Sequence, residues 1–408
     1  MNQSINKKYL LITNHFYPET FRCNDIAFEL QKRGHQVTVL TGIPDYPLGK
    51  YHKGYSLFKK RVENINGVKV IRVAHIPRGN GRAIRMIIHY ASSLFFFLLH
   101  AIYQALFHKY DAIFIHNTSP AFICLPAVLI KKIRGTKIDN WILDMWPENL
   151  AAGGIYNKKI YSAVEKMMSV IYRNSDVIHI GSKGFKKLLM KKGVPEEKIE
   201  YLPNFCEDTN EEKATAIPQL PNGFIVMFAG NLGEAQNLEY VMKGALQLKE
   251  QKDIHFVLLG DGRKKQWIEE FVQEHNLQET VHLLGRWPIG TMSTFFSKAD
   301  VMLVSLTNEP IFNYVLPAKV QAYMVNKKPI LAMQNGECQQ VISDAKCGWF
   351  VNSDDIDGMV RTIKQISHTT HEEREKIGEN GYRYYLENFE LNKCIDKVES
   401  AMSRLSDK

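Results

Sequence analysis

Cysteine is sparse in this chain and follows no recognisable pattern. Six residues, Cys23, Cys124, Cys206, Cys338, Cys347 and Cys394, are scattered over 408 positions, with no C-x-x-C and no histidine pairing at metal-ligand spacing. That disfavours a disulfide framework or a zinc module and points to a reducing compartment. No early stretch has the charged, apolar, small-residue order of a secretory leader, because Lys7-Lys8 leads directly into the apolar residues 9–13; a cytoplasmic protein is expected. There is no repeat of solenoid period and no low-complexity tract, so a repeat scaffold is unsupported.

What is present reads as two domains. At 408 residues the chain exceeds the ~250–300 at which a single core stops growing. Apolar strand-like runs alternate with helical stretches in both halves, the pattern of two doubly wound α/β domains, each with a parallel sheet. Between them, residues 204–213 are polar and acidic and are followed by Pro218 and Pro221, a composition suited to a linker or hinge.

The second half carries the more specific signals. The apolar run 224–229 ends in Gly230-Asn231-Leu232-Gly233, and the run 256–259 ends in Gly260-Asp261-Gly262-Arg263. Glycine at such turns lets backbone approach a ligand closely. Further on, Leu316-Pro317-Ala318-Lys319 opens a helix between two apolar strands. Unsatisfied N–H groups at a helix start attract phosphate, and Lys319 adds a point charge there. Three strand-to-helix turns of this kind would share the carboxyl edge of one parallel sheet, where such folds bind nucleotides.

Residues 224–385 resemble the donor domain of GT-B glycosyltransferases of family 4, retaining enzymes that use nucleotide-diphosphate sugars. The resemblance rests on Ala229-Gly230-Asn231, Gly260-Asp261-Gly262, Leu284-Gly285-Arg286, Ala299-Asp300-Val301, the Pro-led helix, and Cys347-Gly348-Trp349-Phe350-Val351 followed by Asp354-Asp355. In the first half, residues 34–40 and Tyr110-Asp111-Ala112-Ile113-Phe114-Ile115-His116 look like strands of the acceptor domain. Two unusual strings, Gly42-Ile43-Pro44-Asp45-Tyr46-Pro47-Leu48-Gly49 and Leu143-Asp144-Met145-Trp146-Pro147-Glu148, resemble the branch of bacterial L-fucosamine (N-acetylfucosaminyl) transferases of surface polysaccharide synthesis. The resemblance implies an acceptor domain over 1–205, a linker over 206–222, a donor domain over 223–385, and a last helix over 386–408 that packs back on the first domain.

The departures from that family bear on residue roles. The family's two glutamates around the phosphate helix fall here on Tyr314 and Ala322. Gln321 is then the expected ribose contact and Glu309 the carboxylate near the sugar. The usual Arg and Lys of the diphosphate clamp appear as Asn231 and the Gln236-Asn237 region, so Lys319 and Arg263 are expected to supply positive charge, with Gly230, Asn231, Gly233, Gly260, Gly262, Arg286 and Pro317 also expected at the donor site. No D-x-D string stands where metal-dependent transferases carry one, and neither metal nor cofactor is expected.

In the first half, His15 and Glu19 follow the first strand, Asp45 follows the second, His116 the fourth, and Asp144, Trp146 and Glu148 the fifth. An aromatic face stacks on a sugar ring while carboxylates accept its O–H groups. His15, Glu19, Asp45 and Trp146 are therefore expected at the acceptor, and His116, Asp144 and Glu148, with Glu309, near the chemistry.

The net charge of +9 is concentrated in the first half, where Lys50, Lys53, Lys59, Lys60, Arg61, Arg72, Arg78, Arg82 and Arg85 precede the apolar stretch 86–107. With no recognised nucleic-acid motif beside it, an anionic membrane surface is the better partner. The stretch approaches the ~20 residues of a spanning helix, but His89, His100, Ser92, Ser93 and Gln104 weaken that reading. A buried helix and an interfacial one are the alternatives, and Phe95-Phe96-Phe97 favours insertion into the inner face of the cell membrane. The expected function is retaining transfer of an N-acetylated or 6-deoxy amino sugar from a UDP-sugar to a lipid-linked or saccharide acceptor. A nucleotide-sugar epimerase of the same architecture and a non-catalytic homologue are the alternatives.

Overall fold

Short apolar runs that end in turn residues form the strands of two separate sheets in the computed structural model, which describes residues 6–79, 82–152, 154–206 and 217–407. The chain divides into one unit of Met1–Pro203 with Asn392–Lys408 and a second of Asn204–Leu391. Of the linker over 206–222, residues 207–216 lie outside the described residues.

The first unit holds β1 (Lys8–Thr13), β2 (Gln36–Gly42), β3 (Val62–Ile65), β4 (Val68–Val73), β5 (Ala112–Asn117), β6 (Lys137–Ile142), β7 (Val177–Ile180) and β8 (Ile199–Tyr201), in the order β3-β4-β2-β1-β5-β6-β7-β8. All neighbours run parallel except the β3–β4 hairpin. The second unit holds β9 (Phe224–Ala229), β10 (Ile254–Leu259), β11 (Val281–Gly285), β12 (Val301–Ser305), β13 (Ile330–Met333) and β14 (Gly348–Val351), all parallel, in the order β11-β10-β9-β12-β13-β14. Both are doubly wound α/β sheets, so the strand order reverses between β1 and β5 and between β9 and β12. The carboxyl ends at these reversals are where such sheets leave a crevice for ligands.

One device sets strand register in both sheets. Asp111, immediately before β5, donates its N–H to the Lys8 carbonyl at 2.8 Å, while its carboxylate accepts the Lys8 N–H at 2.6 Å. Asp176 before β7 does the same with Ile138 at 2.9 Å in each direction, and Asp300 before β12 with Ile225 at 3.0 and 2.8 Å. A carboxylate accepting an N–H at the entry of a strand satisfies a donor that the ladder leaves open.

The helix Leu391–Ser406 belongs to the first unit and buries Cys394, Ile395, Val398, Ala401, Met402 and Leu405. Its polar edge pairs Glu399 with Arg33 at 2.6 Å and with His35 at 2.8 Å. Arg404 pairs with Glu200, which in turn approaches the buried His179. His179 Nδ1 lies 2.7 Å from Asp139 Oδ1, both side chains fully buried.

The helix Ala83–Phe107 is long and apolar enough to cross a membrane. One side carries the buried Phe97, Ala101 and Ala105, while Ile84, Ile88, Phe95, Leu99, Ile102 and Leu106 are exposed at three-, four- and seven-residue spacing. The expected triple-phenylalanine membrane contact is thus corrected: Phe95 faces outward, Phe96 is at the edge, and Phe97 is core because a run of three cannot share one helical face. Arg72, counted among the surface basic residues, is also buried, held by Glu63 at 2.9 Å and the Tyr17 carbonyl at 2.7 Å.

Burial opposes charge on His179, but the Asp139 carboxylate and Glu200 outweigh it and raise its pKa to about 9. The charged pair therefore adds stability that is complete below the unfolded value near 6.5 and fades as pH climbs through about 9. Thermal melts from pH 7 to 10 are expected to show a falling midpoint that His179→Gln flattens, with a loss at pH 7 of about 3 kcal/mol from the orphaned Asp139.

Candidate functional site

At the carboxyl edge of the second sheet the loops after β9, β12, β13 and β14 are stitched together. Thr307 N–H donates to Ala235 O at 3.0 Å, Ser305 Oγ to Gln236 O at 2.6 Å, and Asn237 Nδ2 to Ser353 O at 2.6 Å. The Tyr323 hydroxyl donates to the Ala229 carbonyl at 3.2 Å and accepts the Ala229 N–H at 3.1 Å. This fixes the helix Lys319–Val325 against the end of β9. Lys319 Nζ consequently lies beside Gly230, donates to Gln236 Oε1 at 2.6 Å and sits 3.8 Å from the centre of the Phe228 ring. Burial pushes its ammonium down to about 7. The buried amine, a neutral amide and a ring face form a site in which, among the described residues of this unit, no carboxylate pairs with Lys319, an arrangement that favours an incoming anion.

The glycines have different tasks. A Cβ on Gly230 would meet the end of the Lys319 side chain at 3.4 Å, so that glycine keeps the space beside the amine open. On Gly260 a Cβ would lie 1.8 Å from Gly230 O, and on Gly262 2.4 Å from Leu232 O. These two let the turns after β9 and β10 pack backbone to backbone, a structural task in addition to the ligand approach expected of them. Gly233 is crowded by the Asn231 side chain. Gln321 is likewise not turned to a ribose: it is buried, and its amide nitrogen, oriented as its surroundings require, donates to Pro317 O and Ala318 O at 3.1 Å each. Arg263 and Arg286 are exposed and Glu309 is half-buried on the loop after β12.

A cavity of about 380 Å³ beside these loops is lined by Glu234, Asn237, Glu239, Lys264, Asn308 and Asp354, among others. Lys264 is held by Glu239 at 2.6 Å and Glu234 at 3.0 Å. Its surplus of carboxylates suits hydroxyl and amide groups better than phosphate. Asn237 falls in the Gln236-Asn237 region named from sequence, whereas Lys264 was not singled out there, because it stands one position after Arg263, to which the glycine turn drew attention.

The carboxyl edge of the first sheet gathers a buried polar cluster. Glu19 accepts the N–H groups of Asp45 and Tyr46 at 2.9 and 2.7 Å through Oε1, and Oε2 lies 2.9 Å from His15 Nδ1. Arg78 Nη2 lies 3.3 Å from His15 Nε2, and the Arg78 N–H donates to Asp45 Oδ2 at 3.2 Å. His75 Nε2 and His89 Nδ1 approach the same carboxylate at 3.6 and 4.0 Å. Despite its burial Asp45 is held down at about 2 by His75 and Arg78. The cluster lines a cavity of about 20 Å³ that also touches Asn14, Ser93 and Pro120. Asp45, His75 and His89 lie close enough to share a cation, but His89 Nδ1 is committed to the Ile76 carbonyl at 2.7 Å and Arg78 occupies the carboxylate. The donor set therefore fits a hydrogen-bonded network better than a metal. His75, Arg78 and His89 were not picked out as site residues from sequence; the signal was their position just beyond β4 and on the facing helix.

His116 does not join this cluster. It is buried between the Phe21 and Trp141 rings, its Nδ1 is 3.1 Å from Thr13 Oγ1, and burial holds its pKa at about 3. It is a neutral core histidine, which corrects its expected place near the chemistry. Asp144 accepts the Ser119 N–H at 3.0 Å and its hydroxyl at 2.7 Å, and Glu148 pairs with Lys192 at 2.6 Å. Buried polar atoms without a partner concentrate here: Asn117, Thr118 Oγ1, Trp146 Nε1, Glu148 Oε2 and Ser182 Oγ, all beyond or at the ends of β5, β6 and β7. Each such group is left to find a partner other than the protein atoms around it.

Comparison with known proteins agrees with this two-part layout. Residues 22–209 match the family model Glycosyltransferase Family 4, and residues 210–384 match Glycosyl transferases group 1. "Probable glycosyltransferase WbjE" of Pseudomonas aeruginosa is 27% identical over 61% of this chain and 64% of its own length. "Lipopolysaccharide core biosynthesis glycosyltransferase LpsE" of Rhizobium meliloti is 22% identical over 55% of this chain and 63% of its own. The chain thus spans under two thirds of either relative's length. Among solved structures, HepE of Anabaena in complex with UDP-glucose superposes with a TM-score of 0.69 at 15% identity, over 98% of this chain and 100% of that one. The architecture is GT-B.

The glycine packing yields a direct test. Gly260→Ala is expected to destabilise the second unit by about 3 kcal/mol, from backbone overlap and a φ of +138°. Gly285→Ala, with φ +72° and open space around it, should cost about 1 kcal/mol. Urea titrations that rank the two equally would refute this account.

Proposed function

The chain joins a Glycosyltransferase Family 4 domain to a Glycosyl transferases group 1 domain in a GT-B fold, and on that premise we propose that it transfers a sugar from a UDP-sugar to a lipid-linked or saccharide acceptor in surface polysaccharide synthesis. The observation that carries this reading is Lys319 beside Gly230 at the strand-order reversal of the second sheet. A buried amine near neutrality becomes fully charged when a diphosphate arrives, and a fixed cation in a dry site stabilises the negative charge that develops on the leaving group. Glu309, a carboxylate on the loop after β12, is our candidate for the donor sugar. The cluster of His15, Glu19, Asp45 and Arg78, with Trp146, Asp144 and Glu148, is our candidate for the acceptor.

Retention at the anomeric carbon and an N-acetylated or 6-deoxy amino sugar as passenger follow from the family resemblance and its two Pro-rich strings. No metal is required by the residues assigned here. A non-catalytic homologue is the second reading, favoured by Tyr314 and Ala322 in place of the family's glutamates. We also propose that the protein works at the inner face of the cell membrane. The supporting feature is the exposed stripe Ile84, Ile88, Phe95, Leu99, Ile102 and Leu106, which suits a helix lying in the lipid surface.

Titration calorimetry with UDP-glucose should show proton uptake on binding near pH 7 and an affinity that falls as pH rises through about 7. Lys319→Arg should abolish that pH dependence. Lys319→Met should melt no lower than the parent yet lose nucleotide binding; unchanged binding would remove Lys319 from the site, and no binding by the parent would favour the non-catalytic reading. For the membrane, the parent should co-sediment with phosphatidylglycerol vesicles at low salt. Phe95→Asp with Ile102→Asp should leave it in the supernatant, and a parent that never sediments would end that proposal.

A further inference from the structure

The cavity of about 380 Å³ in the second unit lies outside the Lys319 site: Gly230, Gln236 and Lys319 are not among its wall residues. Gln236 turns its amide to Lys319 Nζ at 2.6 Å. Glu234 and Asn237, to either side of it in the chain, instead wall the cavity. The cavity thus has no part in the donor site proposed above, and its own chemistry must say what it holds.

Asn237 leaves donors open there. It precedes the helix Leu238–Gln247 at a φ of +53°, a left-handed conformation that asparagine tolerates. Its side chain donates to Ser353 O at 2.6 Å and makes no cap bond to the helix. The N–H groups of Leu238 and Glu239 therefore start the helix without a side-chain cap, and both residues line the cavity. Ser353 gives a second, independent signal. It is a wall residue only 2% exposed, and its hydroxyl has no hydrogen-bond partner. Its backbone is pinned at both ends, the carbonyl by Asn237 and the N–H by Asn335 Oδ1 at 3.1 Å. A hydroxyl held in place and left unpaired is costly, and a ligand that bonds to it removes that cost.

Charge narrows the class of ligand. The walls carry the carboxylates of Glu234, Glu239 and Asp354 against the single ammonium of Lys264, a balance that repels phosphate. A divalent cation is disfavoured as well, because Glu239 and Glu234 already hold Lys264 at 2.6 and 3.0 Å. What fits is a neutral molecule that both gives and takes hydrogen bonds. The ring of Tyr240, another wall residue, adds an apolar face against which the C–H groups of a pyranose can pack.

We infer that this cavity is a second saccharide site, which holds one neutral sugar ring, a hexose or an N-acetylhexosamine. The carboxylates accept its hydroxyl protons, while Ser353 and the helix N–H groups donate to its oxygens. The site goes beyond the transfer reaction, since the sugar held here is not the one carried by the nucleotide.

Saturation-transfer NMR on the full chain tests this with N-acetylglucosamine, glucose and galactose as probes at millimolar concentration. At least one of the three should receive saturation from the parent, and excess UDP should not displace it. Ser353→Ala removes only the unpaired hydroxyl. It should weaken binding roughly fivefold and melt no lower than the parent, a combination that a merely structural serine would not give. Asp354→Asn, at an exposed carboxylate, should also weaken binding, whereas Lys319→Met should bind the sugar as the parent does. Absence of transfer to all three sugars, displacement by UDP, or Ser353→Ala and Asp354→Asn that both bind like the parent would overturn the assignment. Calorimetry with UDP-glucose keeps the two sites apart. A parent that binds the nucleotide sugar but none of the three probes keeps the donor site and loses this one, and the opposite result does the reverse.

Discussion

Everything at the two carboxyl edges depends on how the opposite edges are pinned. Asp111, Asp176 and Asp300 each exchange two hydrogen bonds with the first or second residue of a neighbouring strand. A parallel pair slipped by one residue would turn every side chain to the other face. Fixing register at the entry of β5, β7 and β12 therefore determines which residues emerge at the exit, and so which loops meet. Lys319 comes to Gly230, and His75 to Asp45, because the strands below them are in register.

Much of this architecture was legible in the chain. Apolar runs ending in glycine or proline gave away the strands, and their alternation with helices implied parallel sheets. What could not be read was the direction in which polar side chains point once the loops close. Gln321 had the right position and chemistry for a ribose, yet its amide is used by its own helix turn. His116 stood at a strand end, yet the strand is central and its last residues are still core. Conversely, Arg78 looked like one of nine surface cations and proved to be a member of a buried network. Such outcomes depend on contacts between loops distant in sequence, for which spacing within a motif carries no signal. The long apolar helix is the clearest case: its composition allowed burial or lipid contact, and the structure gives it a core face and an outward face at once.

The missing glutamate pair takes on a different meaning beside the geometry. In place of charged groups near the helix Lys319–Val325, the second unit offers an amine near neutrality facing a neutral amide and an aromatic ring. On the donor-site proposal, such a site would gain its charge as the diphosphate binds. It is less costly to keep empty than a permanently charged one, because a buried ammonium without a counter-ion is poorly solvated.

The first unit is built from both ends of the chain, with the helix Leu391–Ser406 supplying part of its core and the Glu200–Arg404 and Glu399–His35 pairs that close it. On the ribosome, therefore, the half that is made first is the half that is finished last. The sheet of β9 to β14 can consolidate as soon as it leaves the exit tunnel, whereas the sheet of β1 to β8 must wait with an open apolar seam until the helix Leu391–Ser406 has emerged. During that interval the apolar side chains that the helix will cover stay open, which makes the nascent chain a stronger customer for chaperones than the finished protein.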